Sequence, residues 1–103
     1  MISNKITGLL PMVQRYFRDK PVLRAWVFGS FSRGEETESS DIDILVDYDN
    51  SKGLVSLLTM GGMLMDLTEL FGRKVDLVDS SGLKEFARNT VEHDKILIYE
   101  RGN

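Results

Sequence analysis

From Asp41 to Asp49 the chain reads DIDILVDYD, and apolar and acidic residues alternate along it at every step but Leu45. A period of two is that of a β-strand, so Ile42, Ile44, Val46 and Tyr48 share one face, and Asp41, Asp43, Leu45, Asp47 and Asp49 the other. The first face suits a core. The second sets carboxylates ~7 Å apart along the strand, a spacing at which like charges raise one another's pKa unless something positive lies between them. The segment therefore demands a sheet with one buried side and a use for the acidic one.

The neighbouring patterns supply the rest of that sheet. Val22–Phe28 (VLRAWVF) reads as a first central strand ending at Gly29, and Val75–Asp79 (VDLVD) as a third strand. Residues 29–40 form a polar connector with a short helix near Ser30–Glu35, too short for a full crossover and indecisive about strand direction. Residues 4–17 are helical, with Ile6, Leu9, Leu10, Val13 and Phe17 at 3–4 spacing and Ser3 or Asn4 as cap. Pro11 either starts that helix late or kinks it.

A longer helix is expected from about Lys52 to Phe71. Leu57, Met60, Leu64, Leu67 and Phe71 form its stripe, widened by Leu54, Leu58 and Met65, and Gly72 ends it. Gly61-Gly62 inside it costs ~1 kcal/mol per glycine and marks close packing or a break. Gly82–Val91 is expected to be helical with Leu83, Phe86, Ala87 and Val91 on one side; Lys95–Tyr99 is an edge strand or that helix's continuation. The order of elements gives an α/β or α+β sheet.

A chain of 103 residues, 42% hydrophobic and 28% charged, is expected to form one domain (1–103) with one core. A large substrate must then be held by a partner, a second copy or an open surface. Cysteine is absent, which excludes disulfides, thiolate metal sites and a cysteine nucleophile. No stretch resembles a signal peptide or a membrane span, so the expected compartment is the cytoplasm. A net charge of −3 without a basic run argues against nucleic acid as a partner.

The chemistry concentrates in two places. A strand ending at Gly29 and opening a short helix offers backbone N–H groups to phosphate oxygens, with the Ser30 hydroxyl and the Arg33 charge nearby. The turn matches neither standard phosphate motif. Glu35 and Glu36 stand where a P-loop has lysine and Ser/Thr, and the dinucleotide glycine spacing is missing, so a simple turn remains the alternative. Asp41 and Asp43 can converge on one or two ions of the kind magnesium exemplifies. Asp76 interrupts an apolar strand where a carboxylate is expensive to bury, and beside Asp41/Asp43 it would complete a cage for two ions ~3.5–4 Å apart. Asp47 and Asp49, near the strand end, read instead as edge-strand carboxylates that deter aggregation.

Taken in order, GSFSRG, SDIDILV and FGRKVDLV resemble the polymerase-beta-like nucleotidyltransferase superfamily, and more narrowly the minimal nucleotidyltransferases of bacterial HEPN/MNT toxin–antitoxin pairs. The resemblance implies an α+β fold, a small mixed sheet flanked by helices. It implies that Gly29 and Ser30 hold the outer phosphates of ATP, with Arg33 as helper. Asp41, Asp43 and Asp76 would ligate magnesium, two ions in that family's pattern, and Asp76 would also draw the proton from the attacking hydroxyl. The implied acceptor is a tyrosine of a HEPN toxin, silenced by AMP. Transfer to a small molecule, or a non-catalytic toxin-binding module, are the alternatives, and self-association stays open. Ser32 stands where related motifs often carry alanine. Of the remaining residues, His93 reads as surface, the methionines of 12–65 as core fillers, and Trp26 as core or a nucleotide-packing ring. The EETESSD run reads as a solvated loop in which Ser39 and Ser40 cap structure or touch phosphate.

Overall fold

The computed structural model describes residues 2–83 and 85–102, the side chains of 85–87 apart. Its sheet has four strands: β1 (Val22–Phe28), β2 (Ile42–Tyr48), β3 (Val75–Asp79) and β4 (Ile96–Glu100), in the order β3-β2-β1-β4. β1 is antiparallel to β2 and to β4, whereas β2 and β3 run parallel, so the sheet is mixed. The connector therefore makes a return and not a crossover. Lys95–Tyr99 resolves as the edge strand β4, one residue later than expected.

The acidic strand β2 lies inside the sheet, flanked on both sides. The edge-strand reading of Asp47 and Asp49 is thus wrong, and their charges are balanced by arginines instead. Asp47 pairs with Arg24 at 3.0 Å, and Asp49 pairs with Arg101 while accepting the Ser51 N–H at 2.9 Å. The apolar face behaves as the alternation demands. Ile42, Ile44 and Val46 are buried with Ala25 and Val27 of β1 and Val75 of β3.

Helices cover that face. Residues 4–17 form two helices, α1 (Asn4–Thr7) and α2 (Leu10–Phe17), with Pro11 in the first turn of α2, where its missing N–H costs nothing. Ile6, Val13 and Phe17 enter the core, and the Phe17 ring meets Tyr99 of β4 at 5.3 Å between centroids. Ser30–Arg33 is a single turn, α3. α4 runs only from Leu57 to Phe71, not from Lys52. Gly53 takes a positive φ of 109°, Asn50 Oδ1 accepts the Val55 N–H, and Ser56 caps the helix by accepting from Thr59 N, so the chain turns before it coils.

The α4 stripe keeps Met60, Leu64, Leu67 and Phe71 as expected but loses Leu57 and the residues expected to widen it. Met63 and Leu67 are buried, with Met60, Leu64, Leu70 and Phe71 beside them; Leu54, Leu57, Leu58 and Met65 face solvent. Met12 is exposed as well, so the methionines are not uniformly core fillers. α5 spans Glu85–Asp94, and the expected apolar contributions of Phe86 and Ala87 lie outside the described residues. Leu45 and Val91 are buried apart from the main cluster, so the acidic face of the sheet is partly covered too. Trp26 is half-buried on that face with Lys95 Nζ over its ring at 4.4 Å, and His93 is exposed as expected. Among the described residues no helix is long and apolar enough to cross a membrane.

Candidate active site

Strand register assembles the carboxylates. In the parallel β2–β3 ladder Ile42 stands beside Val75 and Asp43 beside Asp76. Alternation buries the first pair and turns the second to the opposite face, with strands ~4.8 Å apart. Asp41, two residues before Asp43, belongs to the same face, and its Oδ2 lies 3.7 Å from Lys74 Nζ. Asp76 is on the edge strand and is exposed, so its place in VDLV carries no burial penalty of the kind the sequence suggested. Asp43 is the half-buried member. Burial pushes its carboxyl above the usual range, the charges of Asp76 and then Asp41 push it further, and Arg33 pulls the other way.

The Gly-Ser turn meets this row directly. Phe28 pairs with Asp43 across β1–β2, which brings Gly29 against the Asp43 side chain. Gly29 adopts φ 74° and ψ −153°, a conformation open essentially to glycine alone. A Cβ there would collide with Asp43 Oδ2 and lie 3.4 Å from its Cγ. The residue is therefore glycine for two reasons, backbone conformation and carboxylate approach.

Local bonds hold the turn. The Ser32 hydroxyl donates to the Gly29 carbonyl at 2.7 Å, and the Ser32 N–H donates to it at 3.1 Å. Phe31 is buried in the core and its carbonyl accepts the Ser3 N–H at 2.9 Å, so the N-terminal segment pins α3. Ser30 is half-buried at the first position of α3, whose start has no side-chain cap. Arg33 faces Glu35 (2.7 Å) and Asp94 (2.5 Å). It stays close enough to lower the Asp43 carboxyl while its guanidinium is ion-paired with Glu35 and Asp94.

Two contributors were not foreseen in the sequence. Arg73 donates through Nη1 to the carbonyls of Thr37 (3.2 Å) and Ser40 (3.1 Å) and stacks on the Phe31 ring at 4.9 Å. It ties the loop before Asp41 to the foot of β3; the one sequence signal was its position just ahead of a strand. Ser32 is the other. Ser40 proves to cap structure, its Oγ accepting the Thr37 N–H at 2.8 Å.

As the side chains stand, no group of three His, Cys, Asp or Glu among the described residues closes into a metal cage. The donor set nevertheless suits a hard divalent cation. Carboxylate oxygens from adjacent strands share one face, and Asp43 lies beside two like charges that the Arg33 charge only partly offsets. Acidic residues on paired parallel strands, beside a strand–glycine–helix turn, form a site suited to metal-assisted phosphoryl transfer, the chemistry of a nucleotidyltransferase.

The comparisons agree. Residues 12–103 match the family described as Polymerase beta, Nucleotidyltransferase. The protein adenylyltransferase MntA of Thermococcus cleftensis is 39% identical over 95 residues, covering 91% of this chain and 93% of that one. A solved structure provisionally named a minimal nucleotidyltransferase superposes with a TM-score of 0.78 at 30% identity, covering 93% of this chain and 95% of the other. A mutant form of a toxin–antitoxin complex containing MntA gives a TM-score of 0.61 at 26% identity, over 91% of this chain and 68% of the other. The chain belongs to the polymerase beta nucleotidyltransferase family, as a nucleotidyltransferase of the minimal kind grouped with protein adenylyltransferases.

Proposed function

We propose that this chain transfers AMP from ATP to a tyrosine hydroxyl of a HEPN-type toxin and thereby acts as its antitoxin. The observation that carries the reading is the seating of Asp43 against Gly29, opposite Asp76, which joins a carboxylate row to the glycine turn that opens α3. The protein-acceptor part rests on the likeness to MntA, named a protein adenylyltransferase, and on the fold neighbour that comes from a toxin–antitoxin complex.

Asp41, Asp43 and Asp76 would hold magnesium, which when bound supplies positive charge to the phosphates and to the oxygens around the α-phosphorus. The backbone N–H groups after Gly29 and the Ser30 hydroxyl orient the outer phosphates. The half-buried Asp43 keeps a fixed direction because Gly29 leaves it room and Phe28 pairs with it. Asp76, exposed on the edge strand, is open to an incoming protein hydroxyl and takes up its proton. The acceptor oxygen bonds to the α-phosphorus, the bond from that phosphorus to the bridging oxygen breaks, and pyrophosphate leaves with the electron pair.

The test uses purified chain, magnesium and a purified HEPN toxin, with ATP labelled at the α- or the γ-phosphate. Label should reach the toxin from the α position only, vanish with D41N/D43N, and vanish when the acceptor tyrosine is replaced by phenylalanine. Label from the γ position, or undiminished transfer by the double variant, refutes the mechanism. Label on a small molecule in place of the toxin refutes the acceptor.

A further inference from the structure

The outward face of α4 is apolar and open. Leu58 is 88% exposed and Met65 74%, and with Gly61 and Gly62 they fall on the side of the helix opposite the buried Met63 and Leu67. Leu57 (84%) and Leu54 (91%) extend the patch at its N-terminal end. Apolar side chains this exposed and this close together mark an interaction surface. The glycine pair sharpens the point. It weakens the helix by ~1 kcal/mol per residue, yet a Cβ at either position would meet nothing within 4 Å in this chain. Packing inside the chain therefore does not call for glycine there.

The pattern along the face is symmetric about the point between Gly61 and Gly62. In an antiparallel pair of these helices Leu58 of each copy lies opposite Met65 of the other, and Gly61 lies opposite Gly62. Two large residues then flank a small centre, which lets the helix backbones approach closely. No charged residue occurs between Lys52 and Asp66. The central pairs of that register, Leu58–Met65 and Gly61–Gly62, therefore meet without a charge between them. A self-complementary patch of this form is what an isologous twofold contact needs.

We propose that the α4 face, centred on Gly61-Gly62, is the contact between two copies of this chain packed antiparallel about a twofold axis. α4 covers the apolar face of the sheet, whereas Asp43 and Asp76 lie on the other, so both acidic sites stay open in the pair. The proposal does not depend on the reaction those sites perform.

The test is made on the full chain in solution. Sedimentation should give twice the monomer mass, and L58E or M65K alone should raise the dissociation constant at least ~10-fold, the size expected when a central contact is lost. The combined L58E/M65K chain should dimerise again, because the antiparallel register sets the new charges opposite each other. The chain has no native cysteine, so L58C/M65C should form a disulfide-linked dimer on oxidation while S39C, on an exposed loop, should not. All positions substituted are exposed, and circular dichroism checks that each variant is folded. A wild-type monomer at every concentration overturns the proposal, as do cross-linking equal to S39C and failure of the charge pair to rescue. Protection of the two cysteines only by an added toxin assigns the face to that partner and likewise overturns it.

Discussion

Replacing Gly29 by alanine probes backbone and site together. At φ 74° and ψ −153° a residue with a Cβ occupies a region that costs ~1–3 kcal/mol. The same Cβ collides with Asp43 Oδ2, so the carboxylate must swing away or β1 and β2 must part near Phe28 and Asp43. Taking ~2 kcal/mol as the conformational share, a domain of about this size should lose roughly 8–16 °C of melting temperature. G72A is the control. Gly72 also has a positive φ, 68°, but a Cβ there meets nothing within 4 Å, so its effect is conformational only. Calorimetric melts of G29A, G72A, D43A and G29A/D43A complete the design. Truncating Asp43 removes the atom struck, so G29A should cost less in that background, with a coupling of ~0.5–3 kcal/mol. Transfer of α-phosphate label should be lost in G29A and kept in G72A. A G29A protein that melts within ~2 °C of wild type and still transfers label would refute the account of Gly29.

D43N should abolish transfer and raise the melting temperature at neutral pH. The folded-state pKa of Asp43 is raised, so its contribution is fully present below the unfolded carboxylate value near ~4 and is lost as pH rises through the folded value; the advantage of D43N in calorimetric melts should therefore shrink toward acid. Magnesium should raise the melting temperature of wild type but not of D41N/D43N, since only a folded carboxylate row gains from the cation. Asp49 shows the opposite linkage. Its carboxyl lies well below the usual range through hydrogen bonds from Ser51 and Arg101, so R101A should melt lower at neutral pH, and the gap in a pH series of melts should close as acid protonates Asp49. R73A should speed hydrogen exchange at residues 37–41 and lower transfer, because the loop before Asp41 loses its tie to Arg73.

The strands were legible because a period of two in Ile42–Tyr48 and runs of strand formers in Val22–Phe28 and Val75–Asp79 need no tertiary information. The start of α4 and the width of its stripe were not. Leu54, Leu57 and Leu58 raise the apolar count of any helical pattern that includes them, and sequence hydrophobicity cannot tell a core stripe from a surface awaiting a partner. Strand direction was unreadable for a similar reason. A 12-residue connector permits either sense, and the choice is made by the return through Gly29 and the turn at Gly34, with φ 74° and 72°. Of the candidate site, the identities of Asp41, Asp43 and Asp76 could be read, but the pairing of Asp43 with Asp76 comes from register between distant segments. Arg33 had chemistry suited to phosphate, yet its ion pair with Asp94 requires α5 to pack where it does.

The acidic face of β2 ends as two regions with different electrostatics. At the far end Arg24 comes from the neighbouring strand and Arg101 from just beyond β4, and each sits within ion-pair distance of a carboxylate. At the near end the ladder places Asp76 beside Asp43, adding a third negative charge where alternation had already put two. Lys74 reaches only Asp41, and Arg33 is shared with Glu35 and Asp94. The same strand thus shows how this chain neutralises a carboxylate when neutralisation is all that is needed, and that solution is not used at Asp43. Burial, and then repulsion from Asp76 and Asp41, raises the Asp43 carboxyl and works against folding at neutral pH. In the proposed reaction a divalent cation arriving with a triphosphate would relieve that repulsion only while substrate is bound, which a fixed arginine cannot do. The proposed reaction is therefore placed at Asp43, where burial and two neighbouring carboxylates meet beside Gly29, and not at the ion-paired Asp47–Asp49 end.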